Sequence, residues 1–91
     1  MKATKIKMKS GCRQSENLLE IDSIYLEGYP KSGYYKKDAV YDFIKNQDRV
    51  IYVNVKPYPR LKAVLNGDGE KYVCAETTTY SMDDLLNLPR E

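Results

Sequence analysis

One stretch of this chain, and only one, carries a helical apolar stripe. Val40, Phe43 and Ile44 fall at i, i+3 and i+4 within Lys36 to Gln47. Asp38 near the start and Lys45 near the end complement the helix dipole, and Asn46 reads as a left-handed residue at the C-terminus. The stripe is narrow, so the helix should lie on one face of a sheet rather than inside a bundle. The remaining periodic stretches alternate with a period of two. One helix among strands implies an α+β domain with a largely antiparallel sheet.

The alternation gives five strands. Thr4 to Lys9 places Ile6 and Met8 on one face and Lys5, Lys7 and Lys9 on the other, a half-buried strand whose lysine-lined side reads either as a solvated face or as a phosphate-binding stripe. Ser10 to Asn17 is a polar connection. Leu18 to Glu27 is the second strand, expected to pair with the first. Its apolar parity switches at Asp22-Ser23, where a bulge would keep Leu19, Ile21, Ile24 and Leu26 all inward. Arg49 to Lys56 follows the helix, with Ile51, Val53 and Val55 as its core face, and Pro57-Tyr58-Pro59 ends it. Arg60 to Leu65 and Glu70 to Glu76 flank Asn66-Gly67-Asp68-Gly69, a hairpin turn. In the Arg60–Leu65 strand, Leu61, Ala63 and Leu65 align inward. The expected order is ββαβββ in a single domain over residues 1–91, with curling towards a small barrel left open, and a short helical turn at the end.

Between the second strand and the helix, Gly28 to Lys37 reads as a loop of glycine, proline, tyrosine and lysine. Three readings stay open for it: tyrosines capping the core rim, a protein interface where tyrosine is enriched, or tyrosines that stack bases while lysines hold phosphates. With the later Pro-Tyr-Pro-Arg segment, the candidate interaction surface is Tyr29, Lys31, Tyr34, Tyr35, Lys36, Lys37, Tyr58 and Arg60. The nucleic-acid or nucleotide reading adds Lys56 and Lys62.

Several chemistries are excluded or disfavoured. There is no histidine, which removes histidine triads, histidine-bound metals and the usual general base near neutral pH. Two cysteines, Cys12 and Cys74, make neither a zinc site nor a disulfide framework; two free thiols or one bridge remain open. The Asn66–Gly69 turn lacks the ligand spacing of a calcium loop. No catalytic residue, metal or cofactor is expected. Apolar residues at 42% and charged residues at 31% fit a soluble globular domain. No run is long and apolar enough to span a membrane and no signal-peptide core is visible, so the expected location is the cytoplasm. Net charge is only +2, but its distribution is uneven. Lys2, Lys5, Lys7, Lys9 and Arg13 give the first stretch +5; Asp68, Glu70, Glu76, Asp83, Asp84 and Glu91 against Lys71 and Arg90 give the last −4. The two ends can attract within one chain or between two.

Lys71 to Pro89 reads as a strand, a polar connection and a helical turn. Ser81 stands as its N-cap, acids follow in the first turn, and Leu85, Leu86 and Leu88 are placed to bury before Pro89. Asp83 and Asp84 are the alternative candidates for an acidic patch or cation site. Tyr72, followed by Asp83-Asp84-Leu85-Leu86-Asn87-Leu88-Pro89, resembles the closing signature of a family of small proteins catalogued as domain of unknown function 3892. The upstream order of strands and helix is similar too. Cys74-Ala75 departs from that family's frequent Arg-Thr, Asp84 from its usual Asn, and Asn46-Gln47 from the glycine that commonly ends its helix. The resemblance implies small bacterial, archaeal or phage-borne proteins, no known activity and no catalytic residues to carry over. The resulting expectation is a non-catalytic interaction or regulatory module that binds a protein partner, with a homodimer or higher oligomer open. The alternative is a nucleic-acid or nucleotide binder, and a phage-encoded inhibitor of host defence is a special case of either.

Overall fold

The structure is a computed structural model that describes residues 1–28, 31–56, 58–76 and 83–91. Its strands are β1 (Lys2–Met8), β2 (Ile21–Glu27), β3 (Gly33–Lys36), β4 (Tyr52–Val53), β5 (Leu61–Leu65) and β6 (Lys71–Ala75). The helix α1 (Lys37–Lys45) follows β3, and short 3₁₀ turns occupy Leu18–Glu20 and Asp84–Asn87. The α+β class is as expected. The strands form an open four-stranded sheet in the order β3-β2-β1-β4 and a two-stranded hairpin of β5 and β6.

β1 and β2 pair antiparallel with two register shifts. Lys7 faces Ser23 but Met8 faces Ile21, so Asp22 is the extra residue. This bulge is where the parity of β2 switches, and it leaves Ile21, Ile24 and Leu26 all buried. The second shift, between Ala3 and Lys5, does the same for β1: Ala3 and Ile6 have opposite parity yet both are buried. Lys2, Lys5 and Lys7 remain on the exposed side.

Four expectations need correction. Gly33–Lys36 is a strand, not part of a loop. Glycine and lysine suggested a turn, but Tyr34 and Tyr35 favour extended backbone once β2 offers partners, and they pair with Tyr25 and Ile24. The strand after the helix shrinks to Tyr52–Val53, because its backbone serves two neighbours. Tyr52 and Asn54 N–H donate to Met1 and Ala3 carbonyls on β1, both at 3.0 Å. On the other edge Val53 N–H donates to Pro59 O at 2.8 Å, and Ile51 O accepts from Leu61 N–H at 2.8 Å. Residues 51–54 thereby stitch the hairpin to the main sheet. Leu65 is 55% exposed rather than inward, since it ends β5 beside the turn. Asn46, expected left-handed, keeps right-handed helical backbone; Asp48 takes the positive φ of 51° instead.

The core lies between the inner face of the main sheet, α1 and the hairpin. It contains Ala3, Ile6, Met8, Ile21, Ile24, Leu26, Val40, Ile51, Val53, Leu61, Val73 and Ala75, closed by Leu85, Leu86 and Leu88. Burying the three closing leucines, as the sequence implied, contributes roughly 1.5–3 kcal/mol each. The chain after them runs along β1, where Ile6 N–H donates to Pro89 O at 2.9 Å and Glu91 N–H to Ile6 O at 3.1 Å. Arg90 anchors this tail by donating to the carbonyls of Arg13, Ser15 and Leu86 at 2.7–3.0 Å. At the start of the sheet, a Cβ on Gly28 would lie 3.2 Å from Met1 Cα, and Gly28 has φ 126°, so only glycine fits there.

Candidate interaction surface

Alternation along β3 separates the residues that the sequence grouped. Tyr35 turns inward and meets Phe43 edge-on, with ring centroids 5.4 Å apart. Its hydroxyl donates to Lys31 O at 2.6 Å. Tyr34 turns outward and packs edge-on against Tyr25 at 5.0 Å. Lys36 also faces outward and pairs with Asp22 at 2.9 Å. Lys37, in the first turn of α1, is buried and pairs with Glu70 at 2.9 Å. Lys31 is exposed. Tyr29 lies outside the described residues. The expected surface is therefore divided by the sheet, and Tyr35 and Lys37 serve packing.

Tyr58 and Arg60 belong to another place. Val50, Tyr52 and Tyr58 are 46%, 45% and 50% exposed. Tyr52 and Tyr58, with Lys2, Val53 and Asn54, line a shallow depression of about 360 Å³. Arg60 bridges to Tyr52 in antiparallel fashion, and its guanidinium reaches Glu76 at 3.4 Å. Tyr58 holds φ 61°, a left-handed conformation, and its N–H donates to Val55 O at 2.6 Å. A bulky residue at positive φ is unusual and strained. The sequence reading missed Val50 and Tyr52, although their parity was visible: they are the residues left outward when Ile51 and Val53 go in.

A depression of about 620 Å³ is lined by Glu16, Asn17, Leu18, Leu19, Tyr72, Asp83 and Leu86. Asp83 is not free to act there. Its carboxylate accepts from Leu85 N–H at 2.9 Å and from Ala75 N–H at 3.2 Å. It, rather than Ser81, is the N-cap of the 3₁₀ turn that the structure shows; Ser81 and Met82 lie outside the described residues. Burial pushes the Asp83 carboxyl above its ordinary range, although both backbone donors favour the charged form. Asp84 is 2% exposed, and its Oδ2 has no hydrogen-bond partner among the described residues.

Both cysteines are free. Burial, then the Asp83 charge, raises the Cys74 thiol, while the hydrogen bond from Cys12 to Glu20 raises the Cys12 thiol. Both shifts hold the sulfurs in the protonated, weakly nucleophilic form. Among the described residues, no group of three or more acids and cysteines is placed to hold a metal ion, and no helix is long and apolar enough to cross a membrane. Among the described residues, the opposite charges of the two ends meet where Lys9 approaches Glu70 at 3.8 Å. No family model, no curated protein and no solved structure matches this chain.

Proposed function

We propose that this chain is a small non-catalytic interaction module that binds a protein partner through Val50, Tyr52, Tyr58 and Arg60. One observation carries the reading. Of the four large apolar side chains left about half exposed among the described residues, three are Val50, Tyr52 and Tyr58. Tyrosine and arginine dominate binding energy at protein interfaces, because they bring large area and a polar end at low entropic cost. The strain at Tyr58 supports the same reading, since an unfavourable backbone that presents an exposed ring does little for the fold.

The test is site-specific photo-crosslinking in cells that express the protein. A benzophenone side chain at Val50 should give a discrete adduct with one partner. The same probe at Leu65, the fourth exposed apolar position, should not. Tyr58→Ser should abolish the Val50 adduct while the far-UV spectrum stays unchanged. Equal labelling at both positions, or an adduct indifferent to Tyr58→Ser, would refute the assignment. An adduct at twice the chain mass would make the partner a second copy.

A further inference from the structure

The outer face of the main sheet is not covered by the helix or the hairpin, which both pack on the opposite side. Its composition is specific. Lys2, Lys5 and Lys7 project from β1 and have no ion-pair partner among the described residues. Beside them Tyr25 and Tyr34 form an edge-on pair, and the Lys5 ammonium sits 5.1 Å from the Tyr25 ring centre. Acids near these groups include Asp22, Glu27 and Glu91. Asp22 is held by Lys36 and by the Ser23 hydroxyl. Glu27 stands opposite Lys2. Glu91 lies near the buried Tyr34 hydroxyl; desolvation first, and that carboxylate second, push the Tyr34 phenol up to about 12.

We infer that this face binds single-stranded nucleic acid. The argument is complementarity of both charge and shape. Successive outward residues of a strand stand roughly 6.7 Å apart, so Lys5 and Lys7 offer a regular row of cations to an extended polyanion. A polyanion alone would explain the lysines but not the aromatic pair next to them. Unpaired bases stack on aromatic rings without regard to sequence. In the free protein the Lys5 ammonium occupies the Tyr25 ring as a cation–π contact. An incoming base can take that ring face and release Lys5 to a phosphate. Duplex is disfavoured, because the face is a sheet surface with no element projecting to enter a groove. Lys5, Lys7, Tyr25 and Tyr34 share this outer face with Tyr52, and Lys2, opposite Tyr52, lies between the two sites; the inference does not rest on the proposed protein-binding patch.

The test is fluorescence anisotropy with labelled twelve-nucleotide oligo(U) and oligo(dT), and with a duplex of equal length. Both single strands should bind, and the duplex at least ~10-fold more weakly. With three phosphate contacts the single-strand affinity should fall about 20-fold between about 50 and about 200 mM salt. Lys5→Gln with Lys7→Gln leaves one contact, and the same salt change should then cost only about 3-fold. Tyr25→Val should weaken binding by about 5- to 150-fold, with circular dichroism confirming the fold. Glu91→Gln removes a competing charge and should tighten binding. Lys62→Gln, an exposed lysine on the hairpin, should change nothing, and Tyr58→Ser should bind like the parent. No anisotropy change at low salt overturns the inference, and so does a preference for duplex. An effect of Lys62→Gln as large as that of Lys5→Gln would mean unspecific charge attraction and overturn it equally. A face that takes an acidic protein segment instead would leave every oligonucleotide unbound.

Discussion

Replacing Asp83 with alanine isolates the joint between β6 and the closing 3₁₀ turn. The Asp83 carboxylate caps the turn through Leu85 N–H and also receives Ala75 N–H. Losing a side-chain N-cap costs about 1 kcal/mol. Ala75 is almost fully buried, so its abandoned N–H adds roughly 1–3 kcal/mol. Together the loss is about 2–4 kcal/mol. In a domain of this size each kcal/mol moves Tm by roughly 4–8 °C, so a fall of about 8–30 °C is expected by differential scanning calorimetry. Asp83→Asn keeps an acceptor oxygen for one of the donors and should recover about half of the loss. That intermediate value separates hydrogen bonding from charge, because burial already disfavours the charged carboxylate. A loss below about 0.5 kcal/mol for Asp83→Ala, within the range of an ordinary surface substitution, would refute the reasoning. It would mean that the leucines hold the turn without its cap.

Two further predictions concern strain and pH. Tyr58→Gly relieves a left-handed backbone worth roughly 1–2 kcal/mol and gives back about 0.5–1 kcal/mol in unfolded-chain entropy. The variant should therefore match or slightly exceed the parent in urea midpoint while losing the Val50 crosslink; destabilisation above about 1 kcal/mol would show that the exposed ring packs after all. For pH, hydrogen bonds from Ser15 and then Cys12 lower Glu20, bonds from Ser23 and Lys36 lower Asp22, and Lys37 lowers Glu70. Depressed carboxylates contribute stability that is present above their unfolded values of 4.5 and 3.8 and is lost as pH falls through the folded values. Asp83, whose carboxyl is raised, acts in the opposite sense: its contribution improves as pH falls towards 3.8. Three lowered groups against one raised one predict a urea midpoint that is flat from neutral pH to about 5 and falls below it. Ser15→Ala should flatten that fall, and a midpoint unchanged down to about pH 3 would contradict the assignment.

Much of the architecture was legible because burial enforces parity. Ile51 and Val53 were identifiable as core from alternation alone, and the switch at Asp22-Ser23 located a bulge before any pairing partner was known. What failed depended on partners distant in sequence. Whether Gly33–Lys36 is strand or loop is decided by β2, since a short run of tyrosine and lysine has no strong preference of its own. Likewise the segment after the helix is a strand by composition, but its hydrogen bonds go alternately to Met1 and Ala3 on one side and to Pro59 on the other. The candidate surface is divided for the same reason. Grouping residues 29–37 as one patch assumed a loop, and a strand sends neighbouring side chains to opposite faces.

The two bulges connect the fold to the proposed binding face. If β1 and β2 ran through Thr4 and Asp22 without bulges, each would alternate uniformly, and part of their apolar set would turn to solvent. With them, Ala3, Ile6 and Met8 go inward together, as do Ile21, Ile24 and Leu26. The lysines of β1 are then left on one side beside Tyr25. Deleting Asp22 would remove one bulge and leave Ile21, Ile24 and Leu26 in a uniform alternation, all still facing inward. The register that protects the core is the register that assembles Lys5, Lys7, Tyr25 and Tyr34 on the open face, so Ile24→Asp, which puts a charge into the fully buried core, should damage stability and oligonucleotide binding together. Lys5→Gln with Lys7→Gln should damage binding alone. That contrast distinguishes a face built by the sheet from cations that merely lie on it.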